Sequence, residues 1–251
     1  MSKRGEQVFV VGGAGALGSA VVQRLLGDGF KPVVVGRSES SLREFAETAS
    51  GIDWCVADLS DDSAIASLSA KANGVVRGVV HAAGVPVAGG VLDAPVDALI
   101  EAVNVKVGGM LRLVRAVSER LVQGSRLIAI GGHYGFEPTA YAATAGVANA
   151  ALANLVRQLS WAWGEQGVTA HLIAPGPADT ERLRRVAAHR AERNDMSTDE
   201  VLDEMRSESA INAFTTPAQV AWAVSTLLAP EADALAGSTL FMDAGRRRGL
   251  P

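Results

Sequence analysis

Residues Val8-Phe9-Val10-Val11-Gly12-Gly13-Ala14-Gly15-Ala16-Leu17-Gly18 run from a β-branched stretch through a glycine-rich turn into a helical pattern. Glycines let the backbone turn sharply and approach a pyrophosphate. A helix opening behind them offers free N–H groups and a positive dipole end. A strand before and a helix after is the context a dinucleotide fingerprint requires. Gly12, Gly13, Gly15, Leu17 and Gly18 are therefore predicted to hold a dinucleotide, the plainer alternative being a tight turn. The next apolar run ends Val35-Gly36-Arg37-Ser38. A carboxylate there would bind the ribose 2′-OH of NAD, whereas an arginine suits the 2′-phosphate of NADP. No acid stands at 36–38, so NADP(H) is favoured over NAD(H), with Arg37 and Ser38 as contacts.

These residues must be positioned by strands and helices, and the chain supplies both in alternation. Apolar runs at 8–11, 33–35, 52–56, 79–80, 127–130, 169–173 and 238–242 are continuous, as expected for parallel strands covered on both faces. Helical spacing lies between them, for example Leu17, Val21 and Leu25, and then Leu42, Phe45, Ala46 and Ala49. Gly29, Gly124 and Gly167 are read as stops just ahead of strands. The expected fold class is α/β: a Rossmann-like, doubly wound parallel sheet of about seven strands. With 251 residues and no repeat or low-complexity linker, residues 1–251 read as one domain. Residues 180–212 are charged and poor in strand formers. They are expected to form a helical lid beside the ligand crevice, or a pair of ordinary surface helices.

Composition narrows the function classes. A net charge of −4 with interspersed signs excludes a dedicated nucleic-acid binder. The single cysteine, Cys55, excludes an intrachain disulfide and any cysteine-rich zinc module, and no metal site is expected. The first apolar run is too short and too soon interrupted for a signal peptide or membrane span. A cytoplasmic protein with no membrane partner is expected. Arg246-Arg247-Arg248 reads as a solvated tail.

Further segments carry a resemblance. Asp58-Leu59 follows the third run, His81-Ala82-Ala83-Gly84 the fourth, and Ala174-Pro175-Gly176-Pro177-Ala178-Asp179-Thr180 the sixth. With the glycine motif, these resemble the short-chain dehydrogenase/reductase family in nearly whole-chain order, Ala16 standing where a middle glycine is usual. The resemblance implies that Asp58 and Leu59 contact adenine and that Ala82, Ala83 and Gly84 line the cofactor. It also implies that Pro175, Gly176 and Thr180 meet the nicotinamide end.

The family transfers hydride between nicotinamide and a carbonyl or alcohol carbon. A Tyr exchanges the proton, a Ser orients the oxygen, a Lys lowers the Tyr pKa and holds the ribose, and an Asn completes the relay. An ammonium ~5 Å from a phenol at effective dielectric ~20 contributes about 3 kcal/mol, roughly two pKa units. This chain departs from that pattern. Gly132 stands where the Ser is expected. Tyr141-Ala142-Ala143-Thr144-Ala145 could be the Tyr-x-x-x-Lys motif with its Lys lost. A gap-free register instead puts Ala145 at the Tyr and Asn149 at the Lys, and it is preferred. Counting from Gly84 puts Lys106, rather than Asn104, at the Asn position. A Lys on this helix with an Asn on the next resembles the ketoreductase domains of polyketide synthases, so Lys106 and Asn149 could hold ribose and position water.

Tyr141 is read as lying one helical turn before Ala145, and His133 and Tyr134 follow Gly132 directly. Tyr141, His133 or Tyr134, each a loop aromatic otherwise, is the candidate proton donor. The expected function is NADP(H)-dependent reduction of a carbonyl on a bulky apolar small molecule, because a neutral Tyr or cationic His already carries the proton. The alternatives are a cofactor-binding protein without turnover, or a non-redox isomerase, cyclase or dehydratase. The resemblance implies a homodimer or homotetramer. The stripe Leu152, Leu155, Val156 and Leu159 allows this, though core packing explains it equally well.

Overall fold

The computed structural model describes residues 5–86 and 89–249. Seven strands form one parallel sheet in the order β3-β2-β1-β4-β5-β6-β7. They are β1 (Gln7–Val11), β2 (Lys31–Gly36), β3 (Asp53–Val56), β4 (Val76–His81), β5 (Leu121–Ile130), β6 (Thr169–Pro175) and β7 (Thr239–Met242). All seven expected strands are present, and the fold is the Rossmann-like one. Pro32 lies in β2 opposite Val8, but β3 joins the ladder only from Val33. The missing N–H therefore falls beyond the β2–β3 pairing. Gly124 is a correction. It lies inside β5 with φ +83°, at a break in register with β4, rather than ahead of the strand.

Successive strand residues point to opposite faces. Phe9, Val11, Val33 and Val35 pack under α3 (Ser63–Lys71), α5 (Gly109–Val117) and α6 (Ala143–Trp163). Val8, Val10 and Val34 pack under α1 (Ala16–Gly27), α2 (Glu39–Thr48) and α9 (Pro217–Leu227). Each fully buried side chain of this kind contributes roughly 1.5–3 kcal/mol. Leu152, Leu155, Val156 and Leu159 all lie in the first of these cores. Core packing, not a subunit contact, accounts for that stripe.

Two elements at the carboxyl end of the sheet matter for function. The helix α4 (Val96–Val103) runs through one π-helical turn, Asn104–Gly108, into α5. The segment after β6 folds into α7 (Glu181–Asn194) and α8 (Thr198–Ser207), held by their own small core of Leu183, Ala187, Ala191, Val201 and Met205. A capping box of Ser197 and Glu200 starts α8, and a second, of Thr216 and Gln219, starts α9. Strand order reverses between β1 and β4, and the crevice opens there, beyond their carboxyl ends. Among the described residues, no helix is long and apolar enough to cross a membrane.

Candidate active site and coenzyme crevice

The glycine loop closes the first strand of the crevice. Gly12 takes φ +73°, and its N–H donates to the Val35 carbonyl at 2.8 Å. A Cβ at Gly18 would lie 2.2 Å from the Gly12 oxygen, so no side chain fits where α1 meets the loop. A Cβ at Gly12 would come within 3.1 Å of the Ala82 carbonyl, which shows how closely the loop abuts the end of β4. Gly15 caps α1 without a side-chain hydrogen bond. The first-turn N–H groups are left for an incoming acceptor.

At the ends of β2 and β3, Arg37 is exposed and Ser38 caps α2, its hydroxyl accepting from Ser41 N–H at 3.3 Å. The Asp58 carboxylate accepts from Ser60 N–H at 3.0 Å and from its hydroxyl at 2.8 Å. The Ser60 N–H, followed by its hydroxyl and the Arg37 charge, holds Asp58 below the usual carboxylate range. Leu59 is buried in the core.

The floor is built from three directions. The π-turn widens the helix by one residue, a distortion common at functional sites. Within it Lys106 is buried, and its ammonium donates to the Ile130 carbonyl at 3.0 Å. Burial, and then the nearby Arg182 guanidinium, push Lys106 down to about 8. Asn104 turns the other way, donating to the Ser60 carbonyl at 2.9 Å and accepting from Arg112. From α6, Asn149 is buried, with its Oδ1 unpartnered. Its Nδ2 lies 2.9 Å from where a Gly132 Cβ would be. The amide thus fills the space a side chain at 132 would need. His81 is buried beside Lys106 and held neutral, pressed down to about 3 by burial and then by that ammonium.

Above the floor, aromatic groups and α7 form the upper wall. The Tyr134 and Tyr141 hydroxyls are 2.9 Å apart with rings edge to face, and the Arg190 guanidinium lies 5.5 Å from the Tyr141 ring centre. Burial, and then the Tyr141 hydroxyl, push the Tyr134 phenol up. His133 stacks on Tyr134 at 4.0 Å. Arg182, from the first turn of α7, donates to the Val85 carbonyl at 2.6 Å and lies against Gly84. Opposite, the Gly176 N–H donates to the Met242 carbonyl at 3.0 Å, and Thr180 precedes α7.

A family model described as enoyl-(acyl carrier protein) reductase matches residues 12–247. The chain belongs to the short-chain dehydrogenase/reductase family. It is 29% identical to the short-chain reductase protein NovJ of Streptomyces niveus, over 96% of this chain and 94% of NovJ. A short-chain dehydrogenase/reductase from Serratia marcescens shares 25% identity and superposes with a TM-score of 0.85, covering 98% and 99% of the two chains. A point variant of the actinorhodin polyketide ketoreductase with NADPH superposes at 0.87, with 23% identity and 98% of each chain covered. This last likeness shows the fold.

As a dehydrogenase/reductase, the chain gathers most of the residues its sequence singles out. Gly12, Gly13, Gly15, Leu17, Gly18, Ala82, Ala83, Gly84, Pro175, Gly176 and Thr180 lie around the crevice at strand ends. Lys106 and Asn149 converge on the end of β5. Three expectations are corrected. Tyr141 precedes α6, which starts at Ala143, so it is a loop residue and not one helical turn below Ala145. His133 is not cationic, because burial and then the Arg246 charge push it down to about 4. The Arg246 side chain is buried rather than solvated, donating to the Met205 carbonyl at 2.8 Å and pairing with Glu208. The sequence singles out Tyr134 and Tyr141 separately but misses Arg182 and the hydrogen bond that joins the two hydroxyls. The available signal is the row of arginines on α7, which reads in sequence only as surface charge.

Proposed function

We propose that this chain is an NADP(H)-dependent reductase of a carbonyl on a bulky small molecule, working with a proton donor outside the family's usual set. The observation that carries the proposal is the convergence at the end of β5. There Lys106 donates to the Ile130 carbonyl and Asn149 lies against Gly132, and the loop that follows carries the hydrogen-bonded Tyr134–Tyr141 hydroxyls. The residues fit the coenzyme on two counts. The loop packs too tightly on the start of α1 and the end of β4 for side chains at Gly12 or Gly18, and no side chain caps the first-turn N–H groups that a pyrophosphate would use. The buried, unpartnered Asn149 Oδ1 is an acceptor that a ribose hydroxyl would satisfy, and leaving such an atom unpaired costs about 1–3 kcal/mol.

When bound, the coenzyme supplies the hydride. The chain does the rest. Loop and first-turn N–H groups bind the pyrophosphate, and Arg37 and Ser38 select the 2′-phosphate. Asp58 and Leu59 border the adenine, Pro175 and Gly176 back the ring, and Lys106 and Asn149 hold the ribose. In this reading Gly132 and Ala145 take the places of the orienting Ser and the proton-exchanging Tyr. Proton delivery to the nascent alkoxide then falls to Tyr141, with Tyr134 hydrogen-bonded behind it. His133, held neutral and so without the readily given proton of a cationic imidazole, is the weaker second candidate, stacked behind Tyr134. Tyr134 remains protonated well above neutrality, which suits reduction. The α7–α8 segment acts as a lid. Exposed apolar pairs, Val96 and Ile100 on α4 and Val147 and Trp161 on α6, support a homo-oligomer.

The test is single-turnover oxidation of NADPH with a panel of bulky ketones. Tyr141→Phe is expected to lower the rate about 10²-fold or more, the scale of losing one preorganised donor. His133→Ala is expected to lower it less. Unchanged rates in both remove these donors. Coenzyme binding without oxidation of NADPH by any ketone would leave a binding protein.

A further inference from the structure

The helix α7 carries a face of positive charge that looks into the crevice. At 3.6 residues per turn, Arg182, Arg185 and His189 share one face, opposite the buried Ala191, and Arg190 stands off that face, two turns beyond Arg182. The Arg182 contact fixes where that face points, and the Arg190 contact places the far end of the helix. Arg182 donates to the Val85 carbonyl at 2.6 Å, and Arg190 lies over the Tyr141 ring. Both partners belong to the crevice wall.

Among the described residues, Arg182, Arg185 and Arg190 form no ion pair. Arg184, pointing away from that face, pairs with Asp179 at 3.0 Å and Glu181 at 3.5 Å. The uncompensated charges also act on one another. Burial and then Arg185 depress Arg182, and Arg182 adds to the depression of the buried Lys106 beneath it. Cations drawn together with no carboxylate between them raise the energy of the empty site, and an anion entering there relieves it. The pyrophosphate already has the glycine loop and the start of α1, across the crevice.

We propose that the carbonyl substrate carries an anionic group, a carboxylate or phosphate close to the reacting carbon, bound by Arg182 and Arg185. This rests on the reading of the crevice as a carbonyl site and names the substrate class. It replaces the expectation of a purely apolar substrate. Arginine suits the role, since its planar fork matches carboxylate and phosphate oxygens in pairs. Arg182 would exchange the Val85 carbonyl for the anion, with Arg185 beside it, while Arg190 stays over the Tyr141 ring.

Calorimetry on the NADP⁺-loaded protein tests this without turnover, using phenylpyruvate and its methyl ester as probes. The acid is expected to bind about tenfold or more tighter than the ester. Arg182→Gln with Arg185→Gln should bring the two within about twofold, with NADP⁺ affinity unchanged. Arg184→Gln should keep the preference for the acid. Equal binding of acid and ester, binding of neither, or a preference surviving the double substitution would overturn the proposal. Equal weakening of NADP⁺ and acid would also overturn it, by assigning the arginines to the coenzyme. If NADP⁺ itself fails to bind, the reductase reading falls. The same titration on free protein then still decides for or against the anion site.

Discussion

Lys106 shows how far a single residue can be understood without the fold. Counting from Gly84 puts it at the family's Asn position, and the structure places its ammonium on the Ile130 carbonyl at the end of β5. What sequence cannot supply is its neighbour, since Arg182 is 76 positions away on α7. Lys106 titrates near 8 when folded, against an ordinary 10.5. Between those values the unfolded chain binds a proton that the folded chain does not, so stability rises with pH across that window. Lys106→Met should abolish this rise, on the order of 3 kcal/mol over the whole interval. Urea unfolding at intervals from neutral pH to above pH ~10 checks it, and a rise persisting in the variant would contradict the burial. Tyr141 departs from its sequence reading for a local reason. The apolar spacing beyond it continues smoothly, but helix α6 begins at Ala143, and Ala142 has φ −127° and ψ 48°.

At the scale of elements, the strands and their order along the chain are legible because parallel strands buried on both faces appear as unbroken apolar runs. The path of the C-terminal tail is not. Three consecutive arginines look solvated in sequence, yet Arg246 is tied to the Met205 carbonyl and Glu208. Arg247 lies over the Phe241 ring at 3.5 Å, and the Arg248 and Gly249 N–H groups reach Glu137. The tail thus couples α8 to the loop that carries His133 and Tyr134. Arg246→Ala removes charged hydrogen bonds worth about 1.5–3 kcal/mol each. It should speed hydrogen exchange across α8 and the turn at Asp195 while leaving β1 to β6 protected. Unchanged exchange in α8 would show that the tail does not secure it.

For the molecule as a whole, one sheet brings together pieces far apart in sequence. The switch between β1 and β4 sets Gly12 against Ala82, β5 delivers Gly132 to Asn149 of α6, and β6 leads into α7 above them. Those juxtapositions follow from topology, which explains why the motif positions can be assigned along the chain while the unpaired cations of the upper wall cannot. The account depends on that crevice accepting a phosphorylated nicotinamide coenzyme. Fluorescence titration with NADPH and NADH, on the parent protein and on Arg37→Ala, measures this most directly. NADPH should bind about tenfold or more tighter than NADH, and Arg37→Ala should erase most of that difference. Failure of both coenzymes to bind would contradict the account at its base, and equal affinities unaffected by Arg37→Ala would contradict its choice of NADP(H).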